Sequence, residues 1–155
     1  MKKINKQAGF TLIELIMVIV ILGVLSAFAL PRFADLGGNA REASINGLGG
    51  SVKAAANIAH AQSLANGAAQ NDDVTLEGQD ITMINFYPTA DAAGISEAAQ
   101  VSAGSAAGDD YTLGTPTAGI RYELAGGTDA ATCSVLYEAA GANGTPTITV
   151  TVTGC

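Results

Sequence analysis

Phe10 to Leu30 reads FTLIELIMVIVILGVLSAFAL, an apolar run interrupted by one carboxylate, Glu14. At about 1.5 Å per residue, this stretch is long enough as a helix to cross a hydrocarbon core of roughly 30 Å. Beyond Pro31 the pattern changes. Leu36, Ala40, Ala43, Gly47, Val52, Ala55, Ala59 and Ser63 recur three, four or five positions apart and are mostly small or apolar. That spacing predicts an amphipathic continuation with a shallow apolar face. Asn66-Gly67 supplies a stop. The expectation is one long helix from about Phe10 to about Asn66. Pro31 and the glycines at 37, 38, 47, 49 and 50 should weaken it near its middle.

The remainder reads as short strands. Ile81 to Tyr87 predicts one strand bounded by Pro88, and 89–110 predicts an irregular loop with a short helix at 96–101. Alternation returns at 118–124, 133–138 and 147–153, the last placing Ile148, Val150 and Val152 on one face. Gly126-Gly127 with Asp129, and 141–144, supply turns. Three antiparallel strands packed on the second half of the helix give an α+β, ladle-shaped fold. Its parts would be a leader at 1–9, an apolar helix at 10–30, an amphipathic helix at 31–66 and a head at 67–155.

Charge adds a direction to this plan. The formal net charge is −7, yet Lys2, Lys3 and Lys6 all precede the apolar run. Basic residues before a span keep the N-terminus cytoplasmic and export the C-terminal part. The acidic head has no basic stripe, which argues against nucleic acid as a partner. With four Phe, four Tyr and no Trp, the head can bury only a small core, and small cores often need a covalent staple. Cys133 and Cys155 read as a disulfide in an exported protein. Two thiols and the distant His60 do not make a zinc site; His60 is expected on the polar face of the helix. Asp72, Asp73, Glu77 and Asp80 cluster as calcium ligands would, but their spacing fits no calcium loop and a solvated acidic loop accounts for them. Asn143-Gly144-Thr145 fits a glycosylation pattern, but Pro146 comes directly after it and the match is discounted. There is no catalytic constellation, so no enzyme activity and no cofactor are expected.

Two cleavage readings remain for the N-terminus. Ala27-Phe28-Ala29 fits an ordinary signal peptide cut before Leu30. The short basic stretch MKKINKQAG fits a cut after Gly9 that keeps the apolar run. Gly9-Phe10-Thr11-Leu12-Ile13-Glu14-Leu15 resembles the type IV prepilin signature, with an aromatic first mature residue and Glu as the fifth. The resemblance is strong from Gly9 to about Pro31 and general thereafter.

It implies cleavage after Gly9 by a prepilin peptidase, N-methylation of Phe10, and helix loosening at Gly23 and Pro31. It also implies a homo-oligomeric helical filament built by a pilus assembly platform from subunits held in the inner membrane. A carboxylate inside an apolar span costs about 2.5–3.5 kcal/mol on insertion scales. A neighbouring subunit's Phe10 amine would neutralise Glu14 once both leave the lipid. In these pilins a C-terminal disulfide loop bounds a variable surface region, so Cys133–Cys155 is implied to face outward. The head looks similar to mannose-sensitive haemagglutinin pilins, which implies adhesion to a surface or host receptor. A pseudopilin of a type II secretion machine shares the same N-terminal motif and is the competing reading.

Overall fold

A computed structural model describes residues 10–104, 109, 111–126 and 128–155. The chain divides into two units at Gly37/Gly38, each described by itself.

Helix α1 spans Leu12–Asn66 and runs unbroken through Gly23, Pro31 and the glycine pairs. In the first unit every large apolar side chain from Leu12 to Leu36 is exposed, Ile16 least so at 42%. In the second unit α1 has a buried face made by Ile45, Leu48, Val52, Ala55, Ala56 and Ala59, with Ser63 at its end. The expected face is therefore correct from Val52 onward and out of phase before it. Leu36, Ala40, Ala43 and Gly47 are exposed. The five-residue step from Gly47 to Val52 turns the helix by about 500°, which no single stripe accommodates at 3.6 residues per turn. Ile45–Leu48–Val52 keeps the three- and four-residue steps.

Opposite this face lies a four-stranded antiparallel sheet. Its order is β5 (Thr112–Gly114), β6 (Ile120–Glu123), β7 (Ser134–Glu138) and β8 (Thr147–Thr151). The register sets Tyr122 against Val135 and Val135 against Val150, and likewise Ile120 against Tyr137 and Tyr137 against Ile148. Period-two alternation puts all of these on the helix side. Gly49 is what lets α1 approach β8, since a Cβ there would lie 2.6 Å from Val150 Cγ2. The sheet has one strand more than the sequence pattern suggested. Strand β5 is too short and polar to alternate visibly.

The segment between helix and sheet departs further from expectation. Instead of one strand at Ile81–Tyr87 there are two hairpins. Strand β1 (Val74–Leu76) pairs with β2 (Gln79–Ile81), and β3 (Met83–Ile84) pairs with β4 (Tyr87–Pro88). Asn85 and Phe86 take φ of 52° and 68°, the left-handed pair of a tight two-residue hairpin turn. That turn reverses the chain in the middle of the apolar run. A helical turn begins at Ala92–Ser96, four residues before the expected 96–101, because Asp91 caps it by accepting from the Gly94 N–H.

Two buried tyrosines join this segment to the sheet. Tyr122 and Ser96 share a hydroxyl–hydroxyl hydrogen bond of 2.6 Å, and the Tyr137 hydroxyl donates to the Pro88 carbonyl at 2.8 Å. Burial pushes the Tyr122 hydroxyl up to about 12, with the Ser96 bond opposing the shift and the Asp91 charge adding to it. Tyr137 is also pushed up by burial.

Candidate assembly site

The N-terminal end of α1 is built around Thr11 and Glu14. The Thr11 backbone N–H and its hydroxyl both donate to Glu14 Oε2, at 2.8 and 2.7 Å. The Glu14 N–H donates in return to Thr11 Oγ1 at 3.3 Å. This reciprocal pair is a capping box, with Thr11 as the N-cap and Glu14 at the third helical position. It satisfies backbone donors that the first turn leaves without partners. The Thr-x-x-Glu spacing ahead of an apolar run carries this signal in the sequence, whereas the prepilin signature points to Glu14 alone.

Phe10 is 94% exposed beside this cap. Gly9 and the leader lie outside the described residues. The carboxylate is exposed at the start of an apolar stretch with a mean hydropathy of 2.7 and no buried residue. By length and composition α1 can cross a membrane. Gly23 has open space where a Cβ would be, so a larger side chain would fit sterically there. At Pro31 the missing N–H removes the bond to the carbonyl four residues back.

The second predicted constellation is the cysteine pair. Cys133 and Cys155 are bonded, with Cα atoms 4.7 Å apart. Cys133 is fully buried and belongs to the head core. The bridge is thus packed inward, whereas residues 141–145 of the loop it closes are exposed. The Thr128 N–H donates to the Gly154 carbonyl at 2.8 Å, the Gly154 N–H donates to the Thr132 carbonyl at 3.0 Å, and Arg41 Nε on α1 donates to the Cys155 carbonyl at 2.6 Å. The end of the chain is tied to the helix as well as to residues 128–132, which lead into β7.

His60 is not a polar-face residue. Its ring stacks on Tyr87 at 4.2 Å between centroids, and Nδ1 lies 2.9 Å from the Phe86 carbonyl. A carbonyl can only accept, so Nδ1 carries the proton. The acidic cluster is used locally. Asp72 accepts from Ala69, Asp73 from Met83, Asp80 from Thr75 and Glu77 from Gln100. Among the described residues no group of three potential ligands could hold a metal ion.

The model of the prokaryotic N-terminal methylation motif matches residues 4–30. The chain is 49% identical over 57 residues to a type IV narrow pilus major component of Thermus thermophilus, covering 37% of this chain and 49% of that one. It is 39% identical over 67 residues to the type IV major fimbrial protein FimA of Dichelobacter nodosus, covering 43% and 39%. It is 56% identical over 32 residues to type II secretion system core protein G of Vibrio cholerae, covering 21% and 22%. The chain therefore spans half or less of the length of these relatives. No solved structure is a significant match. This chain carries the prokaryotic N-terminal methylation motif at residues 4–30 and is similar, over its N-terminal part, to type IV pilus components and to a type II secretion core protein.

Proposed function

We propose that this chain is the structural subunit of a type IV pilus. A prepilin peptidase cuts it after Gly9, the new Phe10 amine is methylated, and residues 10–30 hold it in the inner membrane until an assembly platform extracts it. Subunits then pack their apolar helices into the core of a helical filament. The acidic heads form the outside and serve attachment. Loosening at Gly23 and Pro31 lets the helix adapt during extraction.

The observation that carries this reading is the wholly exposed apolar stretch that opens on the Thr11–Glu14 cap. Such a surface is stable only in lipid or against copies of itself. Glu14 is set to exchange its Thr11 partners for the Phe10 amine of a neighbour, because a buried carboxylate is tolerated chiefly when paired. Intact mass of protein sheared from cells tests the reading. The expected species begins at N-methylated Phe10. A species beginning at Leu30 would overturn it.

The match to core protein G favours a second reading, a short pseudopilus of a secretion machine. Deleting the gene separates the two. Loss of surface fibres with secretion intact supports the pilus, and the reverse supports the pseudopilus.

A further inference from the structure

Beyond Gly37 the sequence holds twelve carboxylates and three cations. Heads of such charge repel one another, so side-by-side packing needs places where the sign is locally complementary. Two of the cations are used within the subunit: Arg121 lies 3.4 Å from Glu123, and Arg41 holds the Cys155 carbonyl. Lys53 is exposed, and no described residue pairs with it. It stands on one flank of α1, beside Pro146 and Ile148.

The opposite flank carries a cleft of about 490 Å³ between α1, the β1–β2 hairpin and residues 97–100. Ala55, Ile58 and Leu76 give it apolar lining, and Glu77, Glu97 and Gln100 line it as well. Gln100 Nε2 donates to Glu77 Oε2 at 2.7 Å, which fixes that carboxylate in place. Apolar lining beside two carboxylates suits a long cationic side chain, whose carbon stem lies on the apolar residues while its charged head meets the carboxylates; Lys53, exposed and unpaired among the described residues, supplies one. Ile58 lies about 140° around the helix from Lys53, so one subunit cannot fill its own cleft. Two different, complementary patches on opposite flanks are what a heterologous, helically repeating contact requires.

We propose that Lys53 of one subunit seats in the Glu77–Glu97 cleft of the next, and that this contact sets the register of the heads. The proposal rests on the filament reading above. Lys53 is the only lysine beyond Lys6, which makes the test specific. Sheared filaments are treated with a water-soluble carbodiimide, which joins an amine to a carboxylate only where the two touch. The expected product is a subunit dimer whose linking peptide joins Lys53 to Glu77 or Glu97. It should be absent in Lys53→Arg filaments, which keep the charge but offer no reactive amine. Without a wild-type copy in the cell, Lys53→Glu should lower filament yield about tenfold, the ratio that 1.4 kcal/mol sets. Adding Glu97→Lys to Lys53→Glu should restore it. Wild-type filaments with no Lys53-linked dimer, or Lys53→Glu filaments in normal yield, would overturn the contact and leave the filament reading intact. An absence of wild-type fibres would overturn the filament reading and this contact with it.

Discussion

Residues 12–36 and residues 45–63 of α1 belong to one helix but meet their surroundings in opposite ways. In the first stretch Leu22, Leu25, Phe28 and Phe33 are all more than half exposed. In the second, Ile45, Val52 and Ala59 are completely buried beneath the head's own strands and hairpins. Each buried branched aliphatic contributes about 1.5–3 kcal/mol relative to exposure. The second stretch therefore stabilises the subunit. On the proposed reading the first keeps its apolar surface for lipid or for other subunits, and its free energy appears only on insertion or assembly. Substitutions in the first stretch should change assembly and leave head stability alone. Those in the second should do the reverse.

The sharpest test is Glu14→Ala. If the carboxylate meets a neighbour's amine, the variant leaves that amine buried and unpaired, at a cost of about 3–5 kcal/mol for each subunit contact. Sheared filament yield should fall to background while the membrane-bound pool persists and the head melts at the wild-type temperature. Normal yield would remove Glu14 from assembly.

On the other side of the comparison stands Cys133→Ser. The bridge closes a loop with a sequence separation of 22, worth about 3 kcal/mol by the chain-entropy model. For a domain of this size that lowers the melting temperature of the detergent-solubilised protein by about 10 °C. Filaments should become scarcer only in proportion to the pilin that survives in the cell. A normal melt with scarce filaments would mean the bridge acts between subunits rather than within one.

The same division separates the parts of the molecule that were legible in the sequence from those that were not. The apolar run, Glu14 and the continuation to Asn66 could be read directly, because a long helix in lipid needs only length and hydropathy. The faces of Val52, Ala55, Ala59 and Ser63 were readable from spacing. Strands β6 to β8 were readable because apolar and aromatic residues recur at every second position, Ile120 and Tyr122, Val135 and Tyr137, Ile148 and Val150. The region from 68 to 117 was not. Its fold depends on one reversal at Asn85-Phe86, where neither residue is glycine, so the sequence lacks the usual signal for a left-handed turn. It depends also on long-range bonds, Tyr137 to Pro88 and Tyr122 to Ser96, which no local pattern encodes. His60 was misplaced for the same reason, since its partners Phe86 and Tyr87 are 26 and 27 positions away.

Those tyrosines give the head a pH dependence. Tyr122 has a hydroxyl raised to about 12 by burial, against an ordinary value of 10.0. Its contribution to stability is fully present below pH 10. Between pH 10 and pH 12 the unfolded chain loses the proton while the folded one keeps it, so stability falls by about 1.4 kcal/mol per pH unit. Tyr122 accounts for about 2–3 kcal/mol of the loss that urea unfolding across this range should show, and Tyr122→Phe should flatten that part of the slope. An identical slope in the variant would assign the loss to other groups, Tyr137 foremost.

The smallest expected effect separates two roles of one residue. Glu14 caps the helix in the subunit, and in the proposed filament it pairs with an amine. Thr11→Ala removes the hydroxyl that both donates to and accepts from Glu14, but keeps the backbone N–H that also holds the carboxylate. Losing such a cap typically costs about 1 kcal/mol. The cost falls on the monomer in lipid, where the first turn frays. In the filament the neighbour's amine replaces the hydroxyl as partner, so that cost is largely absent. If Glu14 matters only as a cap, Thr11→Ala and Glu14→Ala should depress filament yield alike. If it matters as a partner, Glu14→Ala should abolish filaments while Thr11→Ala leaves them near normal. Yields of the two variants in the same strain, each divided by its membrane pool, decide between the roles.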